Sequence, residues 1–140
     1  MTMVQTMSQA PNTRPSKAMI WTGRAMTGLF TAFMLLDIGL KFVNPPVVGE
    51  SMTALGWRPE MAQAIGALEL ACVAVYLFPR TAVLGAVLLT GLFGGTMATH
   101  LRIDNPLFSH VLFGGYLALL AWGGLYLRDA RLRAAFPILK

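Results

Sequence analysis

Apart from Arg24, which lies near one end of its segment, five acidic or basic side chains lie in otherwise apolar stretches of the sequence, where a charge is costly. They are Asp37, Lys41, Glu69, His100 and His110. A charge near the middle of a bilayer costs about 2.5–3.5 kcal/mol on insertion scales, so such residues usually face other helices and often mark a functional site. The sequence therefore predicts that these five residues line a ligand pocket or form a polar network.

Asp37 and Lys41 are four residues apart, so on a helix they share a face and can pair. Such a pair is either a neutralised structural contact or part of a site. Glu69 shares its helical face with the small residues Gly66 and Cys72 and has no partner on its own helix. Its partner must then come from another helix, as a structural hydrogen bond, or from a ligand. We predict that Glu69 is the centre of the site.

The two histidines could ligate a metal or a haem. A first-row metal would need three or four ligands, and Asp104 is the one nearby addition. We therefore predict no metal site. Cys72 is the single cysteine, which excludes an intramolecular disulfide or a CxxC redox pair and indicates a packing role.

The composition explains what surrounds these side chains. Of 140 residues, 56% are hydrophobic and only 12% are charged, whereas a soluble domain keeps roughly a quarter of its residues charged. Lipid is therefore the expected solvent. The net charge of +5 comes from short flanks between apolar runs and forms no continuous basic face, so no nucleic-acid partner is predicted.

Four apolar segments, each near the roughly 20 residues that cross a bilayer, predict the architecture. The spans are about 18–43, 61–78, 81–101 and 107–127, and proline-containing turns separate them. The predicted fold is an all-α, integral membrane antiparallel four-helix bundle over residues 18–128. A disordered cytoplasmic tail (1–17) would precede it and a basic cytoplasmic tail (129–140) would follow. At 1.5 Å per residue, Asp37 lies about 9 Å and Glu69 about 12 Å from the outer ends of their segments.

Basic residues in the flanks predict the orientation. Seven fall on one side and three on the other: Arg14, Lys17, Arg80, Arg128, Arg131, Arg133 and Lys140 against Lys41, Arg58 and Arg102. Both termini should then be cytoplasmic, with Arg24 extending to the inner surface.

In the outer loop (44–60), residues 50–57 could form a short interfacial helix. The glycines of the GxxxG pattern, Gly91 and Gly95, predict packing within the chain rather than a dimer face.

Several stretches carry a family resemblance, which covers nearly the whole chain after the N-terminal tail. Residues 90–102 with Asn105-Pro106-Leu107-Phe108 resemble the DoxX-like family of small bacterial four-helix membrane proteins, as do residues 37–41, 55–57, 66–69 and 79–82. The resemblance implies a four-helix bundle in the bacterial cytoplasmic (inner) membrane. It also implies that Asp37, Lys41, Glu69 and His100 occupy the family's polar positions.

The resemblance indicates less about activity than about fold, and the sequence leaves three hypotheses for the function. The first is an accessory protein, not an enzyme on its own, that holds a lipid, a quinone or a partner helix in an outward-facing polar pocket. The second is a quinone-linked redox enzyme subunit, and the third is a small proton-coupled transporter. Quinone and lipid are the cofactor candidates. Membrane lipids, a partner membrane protein or a second copy of the chain are the expected partners.

Overall fold

The computed structural model describes residues 15–138, and every regular element in this range is helical. The predicted disordered tail (1–17) falls largely on residues 1–14, outside the described range. The helices are α1 (Lys17–Val43), α2 (Pro46–Ala54), α3 (Met61–Leu77), α4 (Ala82–Arg102), α5 (Phe113–Arg128) and α6 (Ala130–Ala135). A π-helical turn, Leu107–Val111, precedes α5. The four predicted segments match α1, α3, α4 and the π-turn with α5.

The ends of the first helix follow local chemistry. Ser16 caps α1, because its side chain accepts a hydrogen bond from the Met19 backbone nitrogen at 3.2 Å. At the other end Asn44 adopts a left-handed conformation with φ of 49°, and its N–H bonds to the Leu40 carbonyl. The next helix begins immediately at Pro46. The loop predicted to hold a short helix does hold one, but it begins at residue 46 and ends at 54 rather than spanning 50–57.

Each of the four long helices lies beside two others. α1 contacts α3 and α5, and α4 contacts the same two helices. Three aromatic rings meet edge to face at the centre, with Phe30 5.4 Å from Tyr76 and 6.1 Å from Phe93 between ring centroids. Such pairs add to the free energy gained from burying the rings. These rings join α1, α3 and α4, and Leu117, Ala121 and Leu125 of α5 belong to the same core cluster.

Large apolar side chains also cover the outside of these helices. Leu29, Leu36 and Leu119 are 63%, 64% and 70% exposed. Three helices are long and apolar enough to cross a membrane: Lys17–Val43, Ala82–Arg102 and Leu107–Arg128. The fourth apolar helix, Met61–Leu77, has 17 residues, which is the lower limit for a span. An apolar outer surface of this extent fits a lipid environment.

The contacts of the glycines show which small residues of α4 pack against another helix, and they differ from the predicted ones. A Cβ on Gly85 would overlap the Tyr76 backbone, so this glycine is what lets α3 and α4 touch. A Cβ on Gly91 or Gly95 would meet nothing within 4 Å. The predicted intrachain packing of the GxxxG pattern is therefore wrong, because these two glycines lie on the outer face of α4.

The C-terminal segment folds back on α5. Leu132 of α6 is buried in the core cluster. Arg133 donates hydrogen bonds to the carbonyls of Tyr126 and Leu127, at 2.9 and 2.8 Å. These carbonyls belong to the last turn of α5, whose orphan acceptors need partners. Part of the predicted basic tail is thus a helix that closes the end of α5.

Candidate functional site

Three of the five predicted site residues meet between α1 and α3. The Lys41 ammonium donates to both carboxylate oxygens of Glu69, each at 2.9 Å from Nζ. It also donates to Oδ2 of Asp37 one turn earlier on α1. We call these three residues the triad. The predicted Asp37–Lys41 pair is confirmed, and of the two partners predicted for Glu69, another helix or a ligand, the structure contains the first.

A glycine makes this meeting possible. Gly66 is buried on α3, three residues before Glu69. A Cβ at this position would lie 3.1 Å from the Lys41 Cβ and 3.7 Å from the Ile38 carbonyl oxygen. The small residue therefore lets the two helices approach closely enough for the Lys41 side chain to reach Glu69. The small-residue face predicted for α3 is the face that packs.

Burial differs across the triad. The side chain of Glu69 is 8% exposed and that of Lys41 is 16% exposed, whereas that of Asp37 is 37% exposed. Glu69 therefore forms the closed end, and Asp37 is the member that an outside molecule can reach. Two carboxylates face one ammonium, so the triad carries one excess negative charge, or one proton that neutralises it.

The hydrogen-bonding capacity of the triad is unequal. An ammonium has three donors, and Lys41 directs its donors at three carboxylate oxygens. The carboxylates keep unused acceptor positions. Close by in sequence, the buried Oδ1 of Asn44 has no hydrogen-bond partner within the described residues. This end of α1 therefore has spare acceptors and no spare ammonium donor.

The two histidines form a separate cluster. Their ring centroids are 5.7 Å apart. Nδ1 of His100 lies 2.7 Å from the Asn105 amide, and Nδ1 of His110 lies 2.8 Å from the Ser109 hydroxyl. Among residues 15–138, no hydrogen bond or ion pair joins either histidine to the triad. In the same range, no group of three His, Cys, Asp or Glu side chains could hold a metal ion.

The remaining singled-out residues form no hydrogen bond or ion pair with the triad within residues 15–138. Cys72 is buried in the core cluster with a free thiol, as a packing role predicts. Arg24 is exposed and stacks over Trp21, with Cζ 5.5 Å from the ring centroid. Sequence reasoning missed Arg128, which we counted as a flanking charge. Two of its buried guanidinium nitrogens have no hydrogen-bond partner within the described residues. No local feature of the sequence indicates that these nitrogens are buried and unpaired.

These features define an all-helical membrane protein with an ionic triad between two of its helices. A sequence model of the DoxX-like family matches residues 25–124. The chain belongs to the DoxX-like family. The match includes the triad and both histidines, whereas Arg24 and Arg128 lie just outside it. Searches of curated proteins and of solved structures found no significant match.

Proposed function

We propose that this protein is a binding or accessory protein of the bacterial inner membrane, whose triad recognises a hydrogen-bond-donating or cationic group. The observation that carries the proposal is the excess of one carboxylate over ammonium, with Asp37 left 37% exposed. A charge excess within apolar helices is costly and calls for an external partner. The unpaired Asn44 oxygen adds a second acceptor near the same helix end.

The acceptor excess restricts the ligand. An oxidised quinone presents carbonyl oxygens, which need donors, and the ammonium of Lys41 already points at three carboxylate oxygens. A quinol hydroxyl, an amine of a lipid headgroup or a basic side chain of a partner helix has O–H or N–H groups that can donate hydrogen bonds to Asp37. The accessory role therefore fits the triad better than oxidised-quinone binding by a redox subunit.

Ligand capture tests the proposal. Native mass spectrometry of gently extracted protein should show a bound lipid, quinol or partner chain. Glu69→Gln should keep the fold and abolish this occupancy, because the substitution removes the charge but keeps the shape. Asp37→Asn should give a comparable loss, because it also removes the excess carboxylate and alters the exposed acceptor that the ligand reaches. Glu50→Gln, an exposed carboxyl on α2, is the matched control and should bind as the unaltered chain does. Full occupancy in the Glu69→Gln variant would contradict the proposal.

We also infer that α1, α3, α4 and α5 form an antiparallel four-helix bundle that crosses the membrane four times, with both termini in the cytoplasm. The supporting contacts join opposite helix ends. Lys41, near the end of α1, lies against Gly66 in the first half of α3. Gly23, near the start of α1, lies against Arg128 at the end of α5. Reporter fusions at Ser8 and after Lys140 should both read cytoplasmic, and a periplasmic signal at either site would contradict this topology.

A further inference from the structure

An open-sided cavity of about 460 Å³ lies between α1 and the ends of α3 and α5. Its lining includes Arg24, Thr27, Thr31, Leu35, Leu77 and Arg128, and no acidic residue contributes to it. Arg24 is seventeen residues before Lys41 on α1, which corresponds to about 25 Å along the helix. The charged end of the cavity is therefore remote from Lys41, whereas its other end reaches Leu35, two residues before Asp37.

The charged end of the cavity lacks an acceptor. Nε and Nη2 of Arg128 are buried without a hydrogen-bond partner in residues 15–138. The guanidinium instead lies over Tyr76, with Cζ 5.7 Å from the ring centroid. Arg24 forms no ion pair within the described residues either. Buried polar groups in native proteins are rarely unpaired, so these donors call for an anion.

The two arginines are held close together. A Cβ on Gly23, the neighbour of Arg24, would lie 3.2 Å from the Arg128 backbone nitrogen. A similar restriction applies at Gly124, where a Cβ would lie 3.0 Å from the Thr27 backbone nitrogen. The close approach of α1 and α5 therefore brings the backbones of Arg24 and Arg128 together, and both residues line the cavity.

The other end of the cavity is apolar. Leu35 lies there, eleven residues beyond Arg24 on the same helix, or about 16 Å, and Leu77 adds a further apolar side chain to the lining. The hydroxyl of Thr31 donates to the Thr27 carbonyl and so presents little polarity. A cationic end and an apolar end at this separation complement a molecule with an anionic head and a hydrocarbon chain.

We propose that this cavity binds an anionic phospholipid. The phosphate accepts hydrogen bonds from Arg24 and Arg128, and an acyl chain lies along Leu35 and Leu77. Arginine suits this role because its planar fork matches phosphate oxygens. Basic pockets between membrane helices are typical places for anionic headgroups. Arg80 and Arg131, which line a second cavity with Arg128 and Asp129, add positive charge at the same end.

The test is titration of the full-length protein in detergent with phosphatidylglycerol, followed by native mass spectrometry. Arg128→Gln should weaken binding about tenfold or more, because it removes the charge and the fork. Gly28→Phe should weaken binding without changing any charge, since the Gly28 position opens into the cavity with nothing within 4 Å of a Cβ. This second variant covers the case in which Arg128→Gln does not fold.

Three controls distinguish specific phospholipid binding from nonspecific charge attraction and from a free-phosphate site. Arg58→Gln, an exposed arginine remote from the cavity, should bind phosphatidylglycerol normally, and an equal loss there would overturn the proposal. Phosphatidylcholine should bind at least about tenfold more weakly than phosphatidylglycerol, since it has no net negative charge. Inorganic phosphate at millimolar concentration should not displace the lipid. Displacement would identify a free-phosphate site, and unchanged lipid binding in both cavity variants would also overturn the proposal.

Discussion

The two ends of α1 handle charge in opposite ways. At one end Lys41 is enclosed by the carboxylates of Asp37 and Glu69, so the positive charge is satisfied within the chain. At the other end the guanidinium groups of Arg24 and Arg128 face a cavity without an acidic residue. The first end therefore has acceptors to spare and the second has donors to spare.

This difference shows what each end can contribute. A satisfied ion pair stabilises the contact between α1 and α3, and removing one partner leaves a buried charge alone. An unpaired arginine contributes little to folding, and its value lies in what it binds. The same helix thus joins an ionic site that holds two helices together and keeps spare acceptors to a cationic site that keeps spare donors.

The largest expected effect comes from breaking the triad. Glu69→Leu removes the two acceptors of Lys41 on α3 and leaves Asp37 as its single partner, so we expect a loss of about 3 kcal/mol in the free energy of unfolding. Arg128→Leu removes only the contact with the Tyr76 ring and should change that free energy by less than about 1 kcal/mol. The free energies of unfolding of the two variants, measured in lipid-free detergent micelles, are to be compared with that of the unaltered chain. Equal losses would show that the two ends do not differ as described.

A smaller effect is expected from separating the helices without altering a charge. Gly66→Ala places a Cβ 3.1 Å from the Lys41 Cβ, so α1 and α3 must shift, at a cost of about 1–2 kcal/mol. Gly39→Ala is the matched control, because a Cβ at that position of α1 meets nothing within 4 Å. Unfolding free energies of the two variants decide the matter, and an equal cost in both would argue against a tight approach at Gly66.

The smallest effect is expected at the thiol beside the triad. Cys72 is buried on the same face of α3 as Glu69, and Cys72→Ala removes one atom from a packed position, costing about 1 kcal/mol. Ligand occupancy of the triad and of the arginine cavity should stay unchanged. Lost occupancy in a variant that keeps its fold would instead indicate a thiol function.

Local pattern predicted the helices well, because their causes are local. Apolar runs, the proline positions and the Asn44 turn fixed the ends of α1 and α3 to within one residue of the predicted bounds. The Asp37–Lys41 pair follows from helical spacing alone. The short helix of the outer loop was placed four residues late, since Pro46 starts it directly after the turn.

Predictions that depend on how one helix is rotated about its axis relative to its neighbour were less reliable. The GxxxG glycines of α4 were expected to pack inside the chain, but the buried face of α4 is formed by Ala82, Gly85, Ala86, Leu89 and Phe93. Small residues permit a close approach without fixing which face makes it. Gly85 is the position where the approach occurs, and nothing in its local sequence distinguishes it from Gly91.

By itself the sequence determined that the chain is helical and apolar, that it resembles the DoxX-like family, and how deep each ionisable residue lies in its segment. Only the tertiary structure decided the partners. His100 and Glu69 both stand in apolar segments, yet Lys41 pairs with Glu69 while His100 pairs with Asn105. Depth along a helix follows from counting residues at a fixed rise. Partnership depends on which helices are neighbours and which faces they present, and those are properties of the whole packed chain.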